Sequence, residues 1–325
     1  MSEMKNLFDL GSLVSLAISS WSGRKMINKS DLISMGIDPS NLPTDLVNYG
    51  RKLLISRSEL QLMSRIEQKA RKYLYTYSVP FGVVNAGFVA NKNLANVEAT
   101  LKEHQKDYFK AVDKFIERFE EAKKEVKNKH PDFFEKCLKK YYPANPEQLR
   151  SNFSFRWSIF RIAAPESFKE GTVEDVLASE EIKNEKKQTL RNKMNQEVQS
   201  FVQEYVNTMR NETIKFCDLM SCRVQGKPYG DESDAKQLTG RSLAFFRKHV
   251  DRFKQMNCFN DNEIEKMLSS FKDQFLESTL TPKHFENESV KMAVGTALAK
   301  IREAASREGE QTSEFINSLK RKIVI

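Results

Sequence analysis

The sequence has little glycine and proline, with 12 Gly and 9 Pro in 325 residues. Turn-rich all-β folds rely on both residues, so this composition disfavours that class. The four cysteines are too few for a disulfide framework in a chain of this length, and a reducing cytoplasm is the expected location. No stretch approaches the roughly 18 apolar residues of a membrane-spanning helix, and the first ten residues do not resemble a secretory signal.

Catalytic and cofactor-binding motifs are also missing. The sequence contains no Walker A, GxGxxG, GxSxG or HExxH pattern. His104 lies on the apolar face of a predicted helix, which is more typical of a core residue than of a metal ligand. Cys217 and Cys222 face about 140° away from each other on a helix, so a zinc site would need distant ligands. We therefore expect a protein that is not an enzyme, with no catalytic residue, cofactor or metal ion.

Two long helices are the clearest feature of the sequence. Apolar residues recur at alternating spacings of three and four along 93–128 and again along 188–222, which predicts one apolar stripe on each helix. The first stripe consists of Leu94, Val97, Leu101, His104, Tyr108, Ala111, Phe115, Ala122 and Val126, and the second of Leu190, Met194, Val198, Phe201, Tyr205, Met209, Thr213, Phe216 and Met220. Two such helices can pair as an antiparallel hairpin that buries both stripes.

Three short segments are predicted to be strands, and together they could form one small sheet. They are 13–21, for which a helix is the close alternative, 79–90, which is interrupted by proline and glycine and fits a pair of short strands, and 153–162. Alternation along 153–162 places Trp157 on the same face as Phe153, Phe155 and Ile159, so we expect Trp157 to be buried.

These elements predict a mainly α fold of the α+β type. We expect an elongated hairpin or coiled coil of long helices, a small β-sheet and a C-terminal helical bundle. The predicted regions are an N-terminal α+β region over 1–92, a long helical hairpin with an inserted strand over 93–222, and a C-terminal helical region over 237–325. A polar linker at 223–236 precedes the last region, whose predicted helices are Leu238 to Met256, Asn262 to Leu276, Asn287 to Arg307 and Thr312 to Ile323.

The first long helix carries basic residues at every fourth position. This basic row consists of Lys102, Lys106, Lys110, Lys114 and Arg118, and a parallel acidic row of Asp113, Glu117, Glu121 and Glu125. Like charges four residues apart destabilise a helix by a few tenths of a kcal/mol per pair, so helix stability does not explain the rows. The basic row is a candidate partner-binding surface, although a solvated face that pairs with neighbouring helices is the commoner arrangement.

Two alternatives remain open on the same observations. The formal net charge of +9 is enough for salt-sensitive attraction to nucleic acid. The apolar segment 79–90 could instead be a membrane or interface segment of the kind that helical pore-forming proteins carry beside long helices. A hairpin tucked against the small sheet is the simpler interpretation of that segment. The apolar residues concerned are Phe81, Val83, Val84, Phe88 and Val89.

Three segments together resemble an uncharacterised family of bacterial, plasmid and phage proteins. They are Leu16 to Lys25, the aromatic run Phe153 to Trp157, and Arg247 to Phe259 followed by Asp261 and Glu263. Members of this family often sit beside MoxR-like AAA+ ATPases and von Willebrand factor A proteins. The resemblance implies no catalytic residue. It implies a client, adaptor or structural partner of an ATPase machine such as an AAA+ ATPase. Separately from the resemblance, we expect a non-enzymatic assembly protein that forms a homo-oligomer, with at most weak nucleic-acid binding and no membrane binding.

Overall fold

The structure is a computed structural model, and it describes residues 5–41, 48–82, 86–161, 180–277, 279–307 and 323–324. Spatial contacts divide the chain into two units, each built from separate stretches of sequence. Unit 1 contains the described residues of Met1–Val14, Tyr77–Ala95 and Ile159–Ile325, and unit 2 contains those of Ser15–Thr76 and Asn96–Ser158. The regions predicted from the sequence, 1–92, 93–222 and 237–325, have boundaries that differ from those of the two units. Whether each region folds independently stays a prediction.

Helices dominate the described residues, with short strands between them, which confirms the predicted mainly α class. In chain order the elements are β1 (Lys5–Asn6), α1 (Leu7–Leu10), β2 (Gly11–Ser19), β3 (Arg24–Met26), α2 (Lys29–Ser34), β4 (Arg51–Leu53), α3 (Arg57–Thr76), β5 (Val79–Phe81), β6 (Ala86–Ala90), α4 (Asn91–Lys129), α5 (Pro131–Phe133), β7 (Ser154–Phe160), α6 (Glu180–Gln225), α7 (Gly240–Met256), α8 (Asn262–Phe275), α9 (Glu288–Ser306) and β8 (Ile323–Val324). A π-helical turn at Phe134–Leu138 and several 3₁₀ turns complete them.

The three predicted strand segments belong to one four-stranded sheet, as expected, with the strand order β5-β6-β2-β7. Strands β5 and β6 form the predicted hairpin, and β6 pairs antiparallel with β2 so that Gly11 lies opposite Ala90. Only glycine fits at position 11, because a Cβ atom there would lie 2.3 Å from the Phe88 ring. The separate two-stranded antiparallel sheet β3–β4 was not predicted, since its short basic strands carry no alternating pattern.

The core of unit 1 surrounds helix α6. Phe201 of α6 packs against the Phe88 ring of β6, at a centroid distance of 5.1 Å. One turn further along, Tyr205 contacts the same ring and donates a hydrogen bond of 2.6 Å to the carbonyl oxygen of Met256 at the end of α7. Phe216 then meets Phe246 of α7 at 5.5 Å. From Val198 to Met220, the apolar stripe of α6 is therefore buried by neighbours within unit 1. The side chains of Leu190 and Met194 lie outside the described part of the structure.

The core of unit 2 surrounds the part of α4 that begins at Asn96. Trp21 packs against Phe115 and Phe119 of this helix, with centroid distances of 5.9 and 5.8 Å. Phe153 and Phe155 at the beginning of β7 cover Phe115 and Tyr108, respectively. Neighbours in unit 2 also cover the stripe of α4 from Val97 onward, so the described part of neither stripe requires the other long helix as its cover. The coiled-coil hairpin of the two helices stays a prediction.

Two further sequence predictions concern Trp157 in β7 and a helix near the C-terminus. Trp157 is half-buried and Ile159 is 41% exposed, so the expectation of a fully buried Trp157 was wrong. Strand β7 lies at the edge of the sheet, and the aromatic residues of α4 contact its beginning at Phe153 and Phe155. The predicted helix 312–323 lies outside the described residues, except for Ile323 in β8.

Candidate functional site

The basic row lies on the exposed side of α4. All five of its residues are exposed, whereas Tyr108, Phe115 and Phe119 on the same helix are buried. Successive members of the row are four residues apart and therefore turn by about 40° around the helix axis. Over the whole row this rotation stays on the side away from the buried stripe. The side chains of the basic row therefore take no part in the core and are accessible to another molecule.

The ends of the row are neutralised by neighbouring carboxylates, but its middle is not. The Lys102 ammonium lies 2.8 Å from Glu98, and the Arg118 guanidinium lies within 4 Å of three glutamates on α3 and α4. Among the described residues, Lys106, Lys110 and Lys114 make no ion pair. These three are called the central lysines below. Their ammonium groups are the part of the row that no described carboxylate approaches within 4 Å.

The surface around the central lysines carries both signs of charge. Glu103, Asp107, Asp113 and Glu117 are exposed on the same stretch of α4. Of the predicted acidic row, Asp113 accepts a hydrogen bond of 2.5 Å from the Arg150 guanidinium. An alternating pattern of this kind complements a surface with its own mixed charges better than it complements a continuous line of phosphates.

The apolar segment 79–90 is part of the core of unit 1. Phe81 is 3% exposed, Phe88 and Val89 are fully buried, and the Phe81 ring lies 4.8 Å from that of Phe201. Val83 and Val84 lie outside the described residues. Within the described chain, no helix combines the length and apolar character that crossing a bilayer requires. Membrane contact through Phe81 or Phe88 would first have to remove these side chains from the core.

Two basic and two aromatic residues of α7 have structural contacts. Phe246 and Phe253 are buried on the core face of the helix, whereas Phe245 is 55% exposed. The guanidinium of Arg247 donates hydrogen bonds to the carbonyl oxygens of Leu276, Glu277 and Leu280. These carbonyl groups lie at and just beyond the C-terminal end of α8, where backbone acceptors lack helical partners.

The cysteines are placed as structural residues. Cys137, Cys217 and Cys258 are buried, and Cys222 is half-buried. Burial raises the pKa of the Cys217 and Cys258 thiols to about 12, so both are protonated and unreactive at neutral pH. In the described part of the chain, no group of three or more histidine, cysteine, aspartate or glutamate side chains is arranged to hold a metal ion.

A buried ion pair in unit 2 was not predicted. Asp31 and Lys52 each have a side chain that is 1% exposed, and the Lys52 ammonium donates to the Asp31 carboxylate. Burial alone would raise the pKa of Asp31, but the hydrogen bond from the backbone N–H of Asn28 and the Lys52 ammonium outweigh this effect and hold that pKa below its usual value. The capping pattern Asn28-x-x-Asp31 is readable from the sequence, whereas nothing marks Lys52, 21 residues away, as its partner.

The residues that carry the family resemblance are core and turn residues. Trp21, Phe153 and Phe155 belong to the aromatic core of unit 2. In unit 1 the side chain of Asn257 bonds to the backbone N–H and carbonyl oxygen of Asp261, and the Asp261 carboxylate accepts a hydrogen bond from Arg210 of α6. The contacts of these residues are therefore structural ones within each unit.

The fold and these surfaces define a class, namely mainly helical proteins with a small antiparallel sheet and an exposed charged helix. Within that class, the chain belongs to the family described as "Protein of unknown function (DUF3150)", whose model matches residues 9–300. This match covers most of the chain and confirms the resemblance to an uncharacterised domain family. No curated protein and no solved structure matches the chain.

Proposed function

We propose that this protein is a non-enzymatic adaptor that binds another protein through the central lysines of α4. The observation that carries the proposal is the combination of exposure and missing ion pairs at Lys106, Lys110 and Lys114 in the described structure. Positively charged side chains that stabilise nothing within their own chain are suited to steer and orient an oppositely charged partner.

A protein partner fits this surface better than nucleic acid does. Binding to phosphate depends on cations that displace counterions, and nearby carboxylates oppose it. Glu103, Asp107 and Glu117 lie within one helical turn of the central lysines. A protein surface can present lysines to these carboxylates and carboxylates to the central lysines. We therefore keep nucleic-acid binding as the alternative that the experiment below excludes or establishes.

The family resemblance suggests the nature of the partner. An adaptor of this kind would present substrates to, or assemble with, a MoxR-like AAA+ ATPase in the cytoplasm. Any nucleotide hydrolysis would then belong to that ATPase, because this sequence has no Walker A motif. Nothing in the proposed role requires a reaction by the adaptor itself.

Self-association is the second element of the proposal. Large apolar side chains on and beside α2 in unit 2 are exposed, among them Ile33 at 65% and Ile37 at 46%. Met26 on β3 is 53% exposed as well. Exposed apolar residues that occur close together are typical of contacts between protein chains. Light scattering of the purified chain at low and high salt would reveal an oligomer held by such contacts.

The experiment compares two charge reversals that change the net charge equally. The test variant carries Lys106→Glu, Lys110→Glu and Lys114→Glu, and the control variant carries the same change at the exposed residues Lys248, Lys266 and Lys300 of α7, α8 and α9. Each tagged variant and the original chain are used to capture proteins from the native host, and mass spectrometry identifies them. We expect the original and the control to capture the same partners, and the test variant to lose them.

A DNA-binding assay distinguishes the two candidate functions. We expect the affinity for a short duplex to fall steeply between 50 and 200 mM salt and to be weak at physiological salt for all three proteins. Equal partner capture by the test variant would contradict the adaptor surface. Tight, saturable DNA binding that only the test variant loses would assign the row to nucleic acid instead.

A further inference from the structure

Unit 2 carries a second group of exposed basic residues, separate from the central lysines of α4. They come from β3, β4, the beginning of α2 and the turn that follows the π-helical segment, and all of them are exposed. We call these residues the basic face, and they are Arg24, Lys25, Lys29, Arg51 and Lys140. Strands β3 and β4 pair antiparallel, and in this register Met26 lies opposite Arg51 and Lys25 lies opposite Lys52.

The half-buried ring of Tyr141 lies where these segments meet. The ammonium groups of Lys25 and Lys140 lie 5.9 and 5.2 Å from the ring centroid, and that of Lys52 lies 4.4 Å away. The Tyr141 hydroxyl accepts a hydrogen bond of 3.2 Å from the side chain of Asn28, the residue before Lys29. The cations of the basic face therefore belong to one continuous surface of unit 2, although they are distant in the sequence.

Negative charge is scarce around the basic face. The stretches 19–30, 48–58 and 136–146 each contain three basic residues and no aspartate or glutamate. The buried Asp31 carboxylate pairs with Lys52 and lies 4.0 Å from the Lys140 ammonium. Within the part of the chain that the structure describes, the other four cations of the basic face make no ion pair. The surface therefore has an excess of positive charge that is not interrupted by exposed carboxylates of these stretches.

Fold stability does not explain why these cations lie together. Lys25 and Lys52 are directly opposite each other, and like charges in that position destabilise an antiparallel pair of strands. Three ammonium groups surround the Tyr141 ring, but only Asp31 compensates them. Attraction to the ring offsets only part of their repulsion, since an exposed cation–π contact contributes about 0.5–1 kcal/mol. An anion from another molecule would relieve the repulsion that remains.

We propose that the basic face binds the phosphate groups of a nucleic-acid duplex. Charge complementarity supports this partner, because a line of phosphates needs cations without intervening carboxylates. On α4 the exposed Asp107 and Asp113 alternate with the central lysines, whereas the stretches that form the basic face contain no such residue. Arginine and lysine supply many of the contacts that proteins make to phosphate, and arginine can bind two oxygens of one group. This inference goes beyond the adaptor surface of α4 and does not depend on it.

The salt dependence of binding counts the phosphate contacts. Fluorescence anisotropy of a labelled short DNA duplex of mixed sequence measures the affinity of the full-length protein at several salt concentrations. Each neutralised phosphate contributes about −0.9 to the slope of log K against log salt concentration, so five contacts predict a slope of about −4.5. The affinity should then fall roughly 500-fold between 50 and 200 mM salt. Polyglutamate of the same net charge should bind at least about tenfold more weakly, since its charge density is lower and it releases fewer counterions.

A charge-neutral variant tests whether the basic face makes these contacts. It carries Arg24→Gln, Lys25→Gln and Arg51→Gln, all at exposed positions of the two short strands. Each lost phosphate contact reduces the salt slope by about 1, so we expect a slope about 3 smaller and an affinity at 50 mM salt that is at least tenfold lower. Thermal unfolding of this variant should match that of the original chain, because the substitutions also remove the repulsion between Lys25 and Lys52.

Two control variants lose the same number of positive charges elsewhere. Each replaces three exposed lysines by glutamine, one variant at Lys248, Lys266 and Lys300 in unit 1 and the other at Lys106, Lys110 and Lys114 on α4. Both should keep the salt slope of the original chain.

Lysine acetylation of the original chain, with and without the duplex at 50 mM salt, locates the contact without any substitution. We expect the duplex to protect Lys25, Lys29 and Lys140 and to leave the central lysines accessible. This measurement keeps the inference testable even if the charge-neutral variant does not fold.

Several results would overturn the inference. One is the absence of duplex binding by the original chain at 50 mM salt. Another is an unchanged salt slope in the charge-neutral variant, or an equal loss in either control, since both would exclude a contact specific to the basic face. Equally tight binding of polyglutamate would assign the basic face to acidic proteins instead. Protection of the central lysines rather than Lys25, Lys29 and Lys140 would place the duplex on α4.

Discussion

Helices α4 and α7 both carry closely spaced basic residues, and the two sets have different surroundings. On α7, Arg247 binds backbone carbonyl groups beyond α8 and Arg252 binds Glu212. On α4, the central lysines Lys106, Lys110 and Lys114 make no ion pair in the described structure. The number of basic residues therefore says little about their role. A structural cation has an ion-pair or hydrogen-bond acceptor within its own chain. A candidate binding residue lacks such an acceptor.

The largest effect should come from a basic residue that is completely enclosed. Lys52→Met removes the ammonium but keeps a side chain of similar length, so the buried Asp31 carboxylate loses its enclosed partner and keeps only the Asn28 N–H and the more distant Lys140 ammonium, at 4.0 Å. Loss of one partner of a buried ion pair costs about 3–5 kcal/mol. We expect the free energy of unfolding, measured in urea, to fall by this amount. A loss below about 1 kcal/mol would show that the pair is hydrated and that Lys52 contributes no more to stability than an exposed lysine of α4.

A pH titration probes the neutral histidine beside Arg252 on α7. Burial holds the pKa of His249 at about 4, whereas the unfolded chain has the ordinary value of 6.5. Between these values the unfolded state binds more protons, so the free energy of unfolding should decrease as the pH falls from 6.5 to 4, by on the order of 2 kcal/mol. His249→Phe should lack this part of the pH dependence. The charged groups beside the ring are Arg252, Glu212 and Lys215.

Urea unfolding of the original chain and of His249→Phe at pH 7 and pH 4.5 would measure this difference. Other groups titrate in both proteins and cancel in the comparison. Identical pH dependence in the two proteins would contradict a buried, neutral His249.

Arg247→Ala tests whether the basic residues of α7 are structural. The substitution leaves carbonyl groups beyond α8 without their charged donor, and hydrogen bonds to charged groups contribute about 1.5–3 kcal/mol. Because Arg247 is half-buried, we expect a decrease near the lower end, about 1.5 kcal/mol, in the free energy of unfolding. Lys248→Ala is the matched control, because Lys248 is the next residue along the helix and its side chain is exposed. This substitution should leave the free energy of unfolding unchanged. Equal effects of the two substitutions would remove the distinction between α7 and α4.

The smallest effect on stability is expected at the central lysines. Each single change to alanine at Lys106, Lys110 or Lys114 should alter the free energy of unfolding by no more than about 0.5 kcal/mol, as is usual for exposed sites without special contacts. Thermal unfolding of the three variants measures this. A loss of more than 1 kcal/mol at any of them would mean that the lysine has a structural contact and is not free for a partner.

Much of the fold could be predicted from local patterns. Alternation predicted β2 and β7, and proline and glycine in an apolar segment predicted the pair β5 and β6. The heptad spacing over 93–128 and 188–222 falls inside α4 and α6, and α6 begins earlier, at Glu180. The spacing could not identify what covers each stripe, because that depends on contacts between distant segments. Phe119 illustrates this limit, since it falls outside the heptad pattern but is fully buried against Trp21.

The sites were less predictable than the fold. The basic row could be found from its spacing, but the sequence does not show that Arg118 is engaged while Lys110 is not. The surroundings of His249 include Glu212 and Arg252, which are 40 residues apart and meet only when α6 packs against α7. Stacking of His249 on Phe216 likewise joins two helices. A single sequence carries no signal for such pairs.

The central claim is that Lys106, Lys110 and Lys114 contact a protein partner. Lysine acetylation of the free chain and of the complex captured from the host, followed by mass spectrometry, measures the accessibility of each lysine directly. The account predicts rapid acetylation of the central lysines in the free chain and strong protection in the complex, with Lys248, Lys266 and Lys300 modified equally in both. Unchanged acetylation of the central lysines in a complex that protects other lysines would contradict it.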